Sequence, residues 1–207
     1  MDVKDYCQEI DDLAAELKKS FPADADDAAK LAALKKLFFE ELGFHGGRTN
    51  YYAKANNHIN LVIDDREGMP ITLSILYIEL GRRVGLNLVG VGLPSHFVVR
   101  HEPKEGDSQL IDVFEGGTLL SREQAEQLVF KNTGRVARNE HFATAKPRDI
   151  LIRVIGNLMG RAQQERDVEA MYRYCDTTLV LNPTSAEHRA MRFEISFFTK
   201  RLDQARA

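Results

Sequence analysis

Apolar residues recur every three or four positions along the first part of the chain, which is the spacing of amphipathic helices. Residues 3–21 present one apolar face, formed by Tyr6, Ile10, Leu13 and Leu17. A second helix is predicted to run from an Asp24 cap to Leu42. A short third helix follows, capped by Asn56 or Asn57. The chain is therefore predicted to open with helices.

The most clearly bounded helix in the sequence begins at Pro70. Gly68 permits a tight turn, and proline suits the first position of a helix because its missing N–H needs no partner there. The apolar positions that follow have helical spacing: Ile71, Ile75, Leu76, Ile78, Leu80 and Val84. Gly85 is predicted to end this helix.

Three segments rich in Val, Leu and Phe follow this helix and are predicted to be strands. They are residues 88–93, 95–101 and 108–114. A polar turn, residues 102–107, separates the last two. With Lys104 at the centre of that turn, His96 lies directly opposite Asp112, with their Cβ atoms about 5 Å apart. The carboxylate can then accept a hydrogen bond from one imidazole nitrogen and leave the other to act as a base.

A helix start followed by a histidine and an aspartate on neighbouring strands is the back half of a Cys-His-Asp hydrolase or acyltransferase core. A cysteine at the helix start would have a lowered pKa and would serve as the nucleophile. This helix instead offers Pro70, Thr72 and Ser74, and none of these is a thiol. The two cysteines of the chain, Cys7 and Cys175, lie in other helical segments and are predicted to be structural.

A wider set of residues around this helix and hairpin carries a resemblance to a known family. The set is Tyr51, Asn56, Arg66, residues 68–73, Tyr77, Arg82, Gly85, Leu86, residues 90–94, His96, Phe97, Arg100, Ile111, Asp112, Phe114, Gly116 and Gly117. Together these residues resemble the SirB family, a branch of the transglutaminase-like superfamily.

The resemblance implies an α+β fold. Its papain-like, transglutaminase-like core would be a helix packed on a small antiparallel sheet, with a helical N-terminal segment and an all-α C-terminal extension. It also implies that the nucleophile position falls near Pro70 and that His96 and Asp112 occupy the His and Asp positions. Members of the family generally lack the cysteine, so its absence here is typical.

The chain departs from the family pattern beside the histidine, where Ser95 replaces the usual glycine and adds a hydroxyl. Asn57 stands where a serine is common, and Val113 replaces a proline. We predict a binding groove beside His96, lined by Tyr51, Asn56, Pro70, Thr72, Ser74, Ser95 and Phe97.

The sequence divides into a transglutaminase-like domain at residues 1–131, a polar linker at 132–146 and a helical extension at 147–207. Three helices are predicted in the extension, at residues 151–164, 168–181 and 185–200. The extension resembles the tetratricopeptide-like tail that commonly follows the SirB core, and a simple three-helix bundle is an equal alternative. Because the chain stops inside what would be a further helix, either the natural protein is longer or this end is frayed.

Composition narrows the classes of partner. The formal net charge is -3 and the sequence pI is about 6.1, and no basic cluster is evident, so a nucleic-acid partner is not expected. No apolar run is long enough to span a bilayer, and the acidic N-terminus does not resemble a signal peptide. We expect a cytoplasmic protein without a cofactor, because the histidines and cysteines lack metal-ligand spacing.

Two classes of function agree with these observations. The favoured class is a non-catalytic module that binds a protein or peptide partner, with His96 and Asp112 as a vestigial dyad. The alternative is a hydrolase or acyltransferase that uses Ser95, Ser74 or Thr72 as its nucleophile with the His96–Asp112 pair. Binding is favoured because an alcohol without a positioned base is a poor nucleophile at neutral pH. The sequence specifies neither the partner nor the oligomeric state.

Overall fold

The computed structural model describes residues 2–49, 53 and 55–199. In these residues eight α-helices and six β-strands form an α+β fold, as predicted. The helices are α1 (Val3–Lys19), α2 (Asp27–Lys35), α3 (Ile59–Asp65), α4 (Pro70–Arg83), α5 (Arg122–Thr133), α6 (Pro147–Glu165), α7 (Val168–Leu181) and α8 (Ala186–Phe198). The strands are β1 (His45–Gly46), β2 (Glu67–Gly68), β3 (Leu88–Val91), β4 (Val98–His101), β5 (Gln109–Asp112) and β6 (Thr118–Leu120).

The described chain separates into two compact units. One contains residues 2–49 and 55–146, and the other contains Ala53 and residues 147–199. None of the helices in the described ranges combines the length and the apolar character that crossing a bilayer would need.

The first unit is built around a four-stranded antiparallel sheet in the order β3-β4-β5-β6. Helix α4 packs on β3 and β4, and α1 and α2 pack in turn on α4. This side of the sheet holds the larger core, which includes Leu17, Leu34, Phe38, Leu73, Tyr77, Leu80, Val99 and Ile111. A smaller core formed with α5 contains Val91, Leu93, Val98, Leu110, Ala125, Val129 and Phe142. The sheet is therefore covered on both faces.

Helix α4 begins and ends where the sequence predicts. Pro70 is its first residue, and Gly85 follows its last turn at a φ of 85°, the left-handed conformation that glycine adopts readily. Its first turn is closed by Thr72, whose Oγ1 accepts from the backbone N–H of Met69 at 3.0 Å. A polar side chain three residues into the helix thus replaces the missing polar cap at Met69.

Two predicted helix caps are wrong. Asp26, not Asp24, caps α2, and its Oδ1 accepts from the Ala29 N–H at 2.8 Å. Asn56 and Asn57 do not cap α3, because both lie in a short 3₁₀ helix, Ala55–Asn57, that precedes it. In each case the helix begins two or more residues later than the sequence signal, because a turn occupies the intervening residues.

The second predicted helix does not continue to Leu42 as an α-helix. After α2 the chain winds as a π-helix, Lys36–Glu41, and the Leu42 N–H donates to the Leu37 carbonyl at 2.9 Å. Within and just after this π-helix, the rings of Phe38 and Phe44 stack with their centroids 4.4 Å apart. The wider turn is thus part of the aromatic core beneath α4.

The predicted hairpin register is wrong by two residues. Val99 pairs with Ile111, so the turn between β4 and β5 is centred on Glu105 rather than on Lys104. The reason lies in the turn, where Gly106 adopts a φ of 94° and β5 begins only at Gln109. A shift of two residues changes the directly opposed pairs but preserves which sheet face each side chain occupies, so His96 and Asp112 remain on one face.

Several elements were not predicted. Strand β1 pairs with β2 in parallel, with His45 opposite Glu67, and β6 extends the sheet beyond β5. The segment predicted as a linker also packs on the sheet: Phe142 is 8% exposed, and the Ala145 N–H donates to the Gly90 carbonyl at 2.8 Å. Residues 132–146 therefore belong to the first unit, which differs from the predicted boundary.

The second unit consists of three consecutive helices, α6, α7 and α8, with packing between each and the next. Helix α7 has the predicted bounds, and Asp167 caps it by accepting from the Ala170 N–H at 3.0 Å. The hydrophobic cluster of this unit is formed by Met159, Tyr172, Cys175 and Ile195. Cys175 is a core side chain, and its burial raises the pKa of its thiol to about 11.

The two cysteines are expected to differ sharply in reactivity. Cys7 is exposed on α1, whereas Cys175 is buried and burial raises the pKa of its thiol to about 11, which disfavours the reactive thiolate. Brief treatment with iodoacetamide, followed by peptide mass spectrometry, should label Cys7 and spare Cys175 until urea is added. Replacing His96 by Gln should leave both labelling rates unchanged. A native Cys175 that reacts as fast as Cys7 would contradict the buried position.

Candidate functional site

A tight turn presents the candidate histidine. The His96 N–H donates to the Leu93 carbonyl at 3.1 Å, and Ser95 adopts a φ of 56° within this turn. A residue with a Cβ atom is strained in the left-handed region, whereas glycine adopts it readily. Ser95 is exposed, whereas His96 is 8% exposed.

His96 and Asp112 form a buried hydrogen-bonded pair. The Nε2 atom of His96 lies 2.8 Å from Oδ2 of Asp112, and Asp112 is 2% exposed. The other carboxylate oxygen, Oδ1, accepts from the Glu115 N–H at 3.2 Å. The predicted contact is confirmed, although His96 precedes β4 and reaches Asp112 diagonally instead of from the directly opposed position.

This pairing fixes the chemistry of the imidazole. An ionised carboxylate only accepts hydrogen bonds, so in the neutral ring Nε2 carries the proton and donates to Asp112. Nδ1 is then the basic nitrogen, as a general base requires. The pair therefore has the geometry that the His and Asp of a Cys-His-Asp triad would need.

Phe114 forms a wall beside the histidine. Its ring lies edge-on to the His96 ring, with centroids 6.3 Å apart. Gly46 of β1 packs so closely that a Cβ atom there would lie 2.6 Å from the Phe114 ring. Arg48 covers the same ring at 5.9 Å and pairs with Glu115. A groove lined by Phe39, Phe44, His45, Glu67 and Phe114 continues from this wall.

The start of α4 is closed by its own polar groups. Thr72 Oγ1 donates to the Asn56 carbonyl at 2.7 Å while accepting from Met69, and the Met69 N–H also approaches that carbonyl at 3.2 Å. Gly47 packs against the Asn56 side chain, since a Cβ atom at Gly47 would lie 2.3 Å from the Asn56 amide nitrogen. Asn56 and Thr72 are therefore brought together as a structural support for the helix start.

Two of the three candidate hydroxyl nucleophiles are enclosed. Thr72 is 0% exposed and its hydroxyl is occupied by backbone groups. Ser74 is also 0% exposed, and its Oγ has no hydrogen-bond partner among the described residues. Only Ser95 is exposed next to His96 in the chain, and it forms no hydrogen bond with His96 in the described structure.

Of the remaining predicted groove residues, two are buried and one lies outside the described residues. Pro70 and Phe97 are buried, and Phe97, 1% exposed, supports the histidine turn from within the core. Tyr51 lies outside the described residues. Phe114 was not among the predicted groove residues, although Gly46, which packs on its ring, is a sequence signal for close packing. Within the described ranges, no group of three or more His, Cys, Asp or Glu side chains could hold a metal ion.

A helix packed on an antiparallel sheet and a buried His–Asp pair are the features of a transglutaminase-like core, here with proline at the helix start. The chain belongs to the transglutaminase-like superfamily, whose family model matches residues 4–156.

Relatives with similar sequences occur in bacteria and mammals. A UPF0162 protein of Xylella fastidiosa is 32% identical over 163 residues, which cover 76% of this chain and 58% of the relative. Protein SirB1 of Salmonella typhimurium is 28% identical over 156 residues, covering 74% of this chain and 58% of the relative. Human F-box only protein 21 is 30% identical over 142 residues, which cover 65% of this chain and 22% of the relative.

The chain therefore spans little more than half the length of these bacterial relatives. No solved structure matches it.

Proposed function

We propose that this protein is a non-catalytic module that binds a protein or peptide segment in the groove beside His96. The observation that carries the proposal is the intact His96–Asp112 pair in a chain that has Pro70, and no thiol, at the start of α4. The pair keeps a buried donor and acceptor in fixed positions, which suits recognition of a peptide group as well as catalysis.

The hydroxyl groups near the site support binding over catalysis. Thr72 and Ser74 are enclosed, so neither can attack a substrate without a rearrangement of α4. Ser95 is exposed, but a serine needs a base within hydrogen-bond reach to become a nucleophile. Acyl transfer by Ser95 with His96 is therefore the reaction that a test must exclude.

The groove offers complementary groups for an extended peptide. Phe114 supplies a flat apolar wall, and the Phe39 and Phe44 rings continue it. An apolar side chain of an extended peptide could thus pack on this wall.

The test compares the wild type with His96→Gln, because the glutamine amide keeps a donor for Asp112 while removing the imidazole. An array of immobilised decapeptides is probed with each labelled protein, and hits are quantified by fluorescence anisotropy. We expect His96→Gln to lower the affinity for the peptides found on the array by about tenfold, a loss of roughly 1.4 kcal/mol of binding free energy. His188→Gln, in the second unit, is the matched control and should bind as the wild type does.

The same proteins are then screened with amide, ester and peptide substrates. We expect no turnover that depends on His96. Hydrolysis or acyl transfer that is abolished by both Ser95→Ala and His96→Gln would replace the binding proposal with the serine-dependent enzyme. Equal peptide binding by wild type and His96→Gln would show that this groove is not the recognition surface.

A further inference from the structure

A second concave surface adjoins the histidine turn. It is lined by Pro94, Thr133, Arg135, Val136, Arg138 and His141. Pro94 is part of the same tight turn as His96, which is closed by the hydrogen bond from the His96 N–H to the Leu93 carbonyl. Because consecutive Cα atoms are about 3.8 Å apart, Pro94 and His96 lie within about 8 Å of each other. We call this surface the basic rim.

The basic rim combines positive charge with an exposed apolar side chain. Arg135 and Arg138 are both exposed, and Val136 between them is 77% exposed. The Arg138 guanidinium pairs with Glu140 at 2.8 Å, in a contact open to solvent on both sides. The Arg135 guanidinium forms no hydrogen bond or ion pair with any residue that the structure describes. This local positive charge contrasts with the formal net charge of -3 for the whole chain.

The segment that carries the two arginines is held against the sheet. Phe142 is buried in the smaller core, and the Arg122 guanidinium lies 4.1 Å from the centroid of its ring. His141 Nδ1 accepts from the Arg138 N–H at 3.0 Å, which closes the turn between them. The arginines therefore project from an ordered turn, which lowers the entropy cost of binding a ligand there.

We propose that the basic rim recognises an acidic peptide segment whose carboxylates bind Arg135 and Arg138 and whose apolar side chain covers Val136. The proposal rests on the proposed function, because it names the chemical class of peptide that enters the groove beside His96. Guanidinium groups match carboxylates with paired hydrogen bonds. Among the residues that the structure describes, no Phe, Tyr or Trp lines the rim for base stacking, so its chemistry favours a peptide over a single-stranded nucleic acid.

The probe is a fluorescein-labelled peptide with Asp and Glu on both sides of a central Leu. The control peptide has Asn and Gln in place of the acidic residues. Anisotropy should show that the acidic peptide binds about tenfold more tightly at about 50 mM salt, and that the advantage shrinks at about 300 mM. The double variant Arg135→Glu, Arg138→Glu should lower the affinity for the acidic peptide by about tenfold or more. Lys104→Glu, a single charge reversal in the exposed hairpin turn and half the charge change of the double variant, should leave its affinity within about twofold.

The outcomes separate this inference from the proposed function. If both peptides bind equally and only His96→Gln weakens them, the basic rim is not the recognition element, although the groove beside His96 is. If neither peptide binds the wild type, the acidic-peptide inference is wrong, and the decapeptide array tests the groove independently. If an oligouridine or phosphatidylserine vesicles bind more tightly than the acidic peptide, with loss in the double variant, the rim serves a different class of ligand.

Discussion

Replacing Pro70 by cysteine is expected to create a thiol with a pKa of about 4 to 7, compared with about 8.5 for an ordinary cysteine. Pro70 is the first residue of α4, where the helix dipole stabilises a negative charge. The resemblance to the superfamily implies a nucleophile near this position, and Asp112 already orients the histidine that would pair with it. The thiolate and the protonated imidazole would then stabilise each other.

The thiolate can be followed by its absorbance at 240 nm during a pH titration. Replacing Cys7 by Ser removes the exposed thiol, and Cys175 does not interfere because its pKa is about 11. Adding His96→Gln should raise the pKa of the new thiol towards its ordinary value. A pKa at or above about 8.5 in the presence of His96 would mean that Pro70 does not occupy the nucleophile position.

The largest expected loss of stability follows from truncating Tyr77. Its side chain is 1% exposed in the core between α4 and the N-terminal helices. Its ring lies edge-on to Phe38, with centroids 5.3 Å apart, and stacks on Phe39 at 6.0 Å. Tyr77→Ala would leave a cavity among these rings and is expected to lower the free energy of unfolding by about 3 to 5 kcal/mol.

A loss of that size is a large part of the roughly 5 to 15 kcal/mol that stabilises a typical domain. Urea denaturation followed by circular dichroism measures it. Tyr77→Phe keeps the ring and is the matched control, expected to cost less than about 1.5 kcal/mol. If the alanine variant unfolds within about 1 kcal/mol of the wild type, the aromatic cluster does not support α4 as described.

The sequence predicts the elements whose signals are local. Pro70 and Gly85 mark the ends of α4, and the bounds of α7 agree with its apolar spacing. The His96–Asp112 contact is also predicted, although from the wrong register. It survives because an error of two residues leaves the sheet faces unchanged.

Elements that depend on distant partners are not predicted. The parallel pairing of β1 with β2 joins segments that are far apart in sequence, and each strand has only two residues. The π-helix accompanies the packing of Phe38 on Tyr77 of α4, a contact between residues far apart in sequence that no local pattern encodes. At the site, the capping role of Thr72 depends on the Asn56 carbonyl, so its side chain resembled a possible nucleophile until the fold was known.

The packing of α1 and α2 on α4 has a consequence for synthesis on the ribosome. Leu17 and Leu34 are completely buried in the core that α4 completes, yet they emerge long before it. About 50 residues separate the ends of α2 and α4, a delay of several seconds at 5 to 20 residues per second. During this interval the apolar faces of both helices are open to chaperones. The strands after α4 find their partners close in sequence, so the sheet can close soon after it emerges.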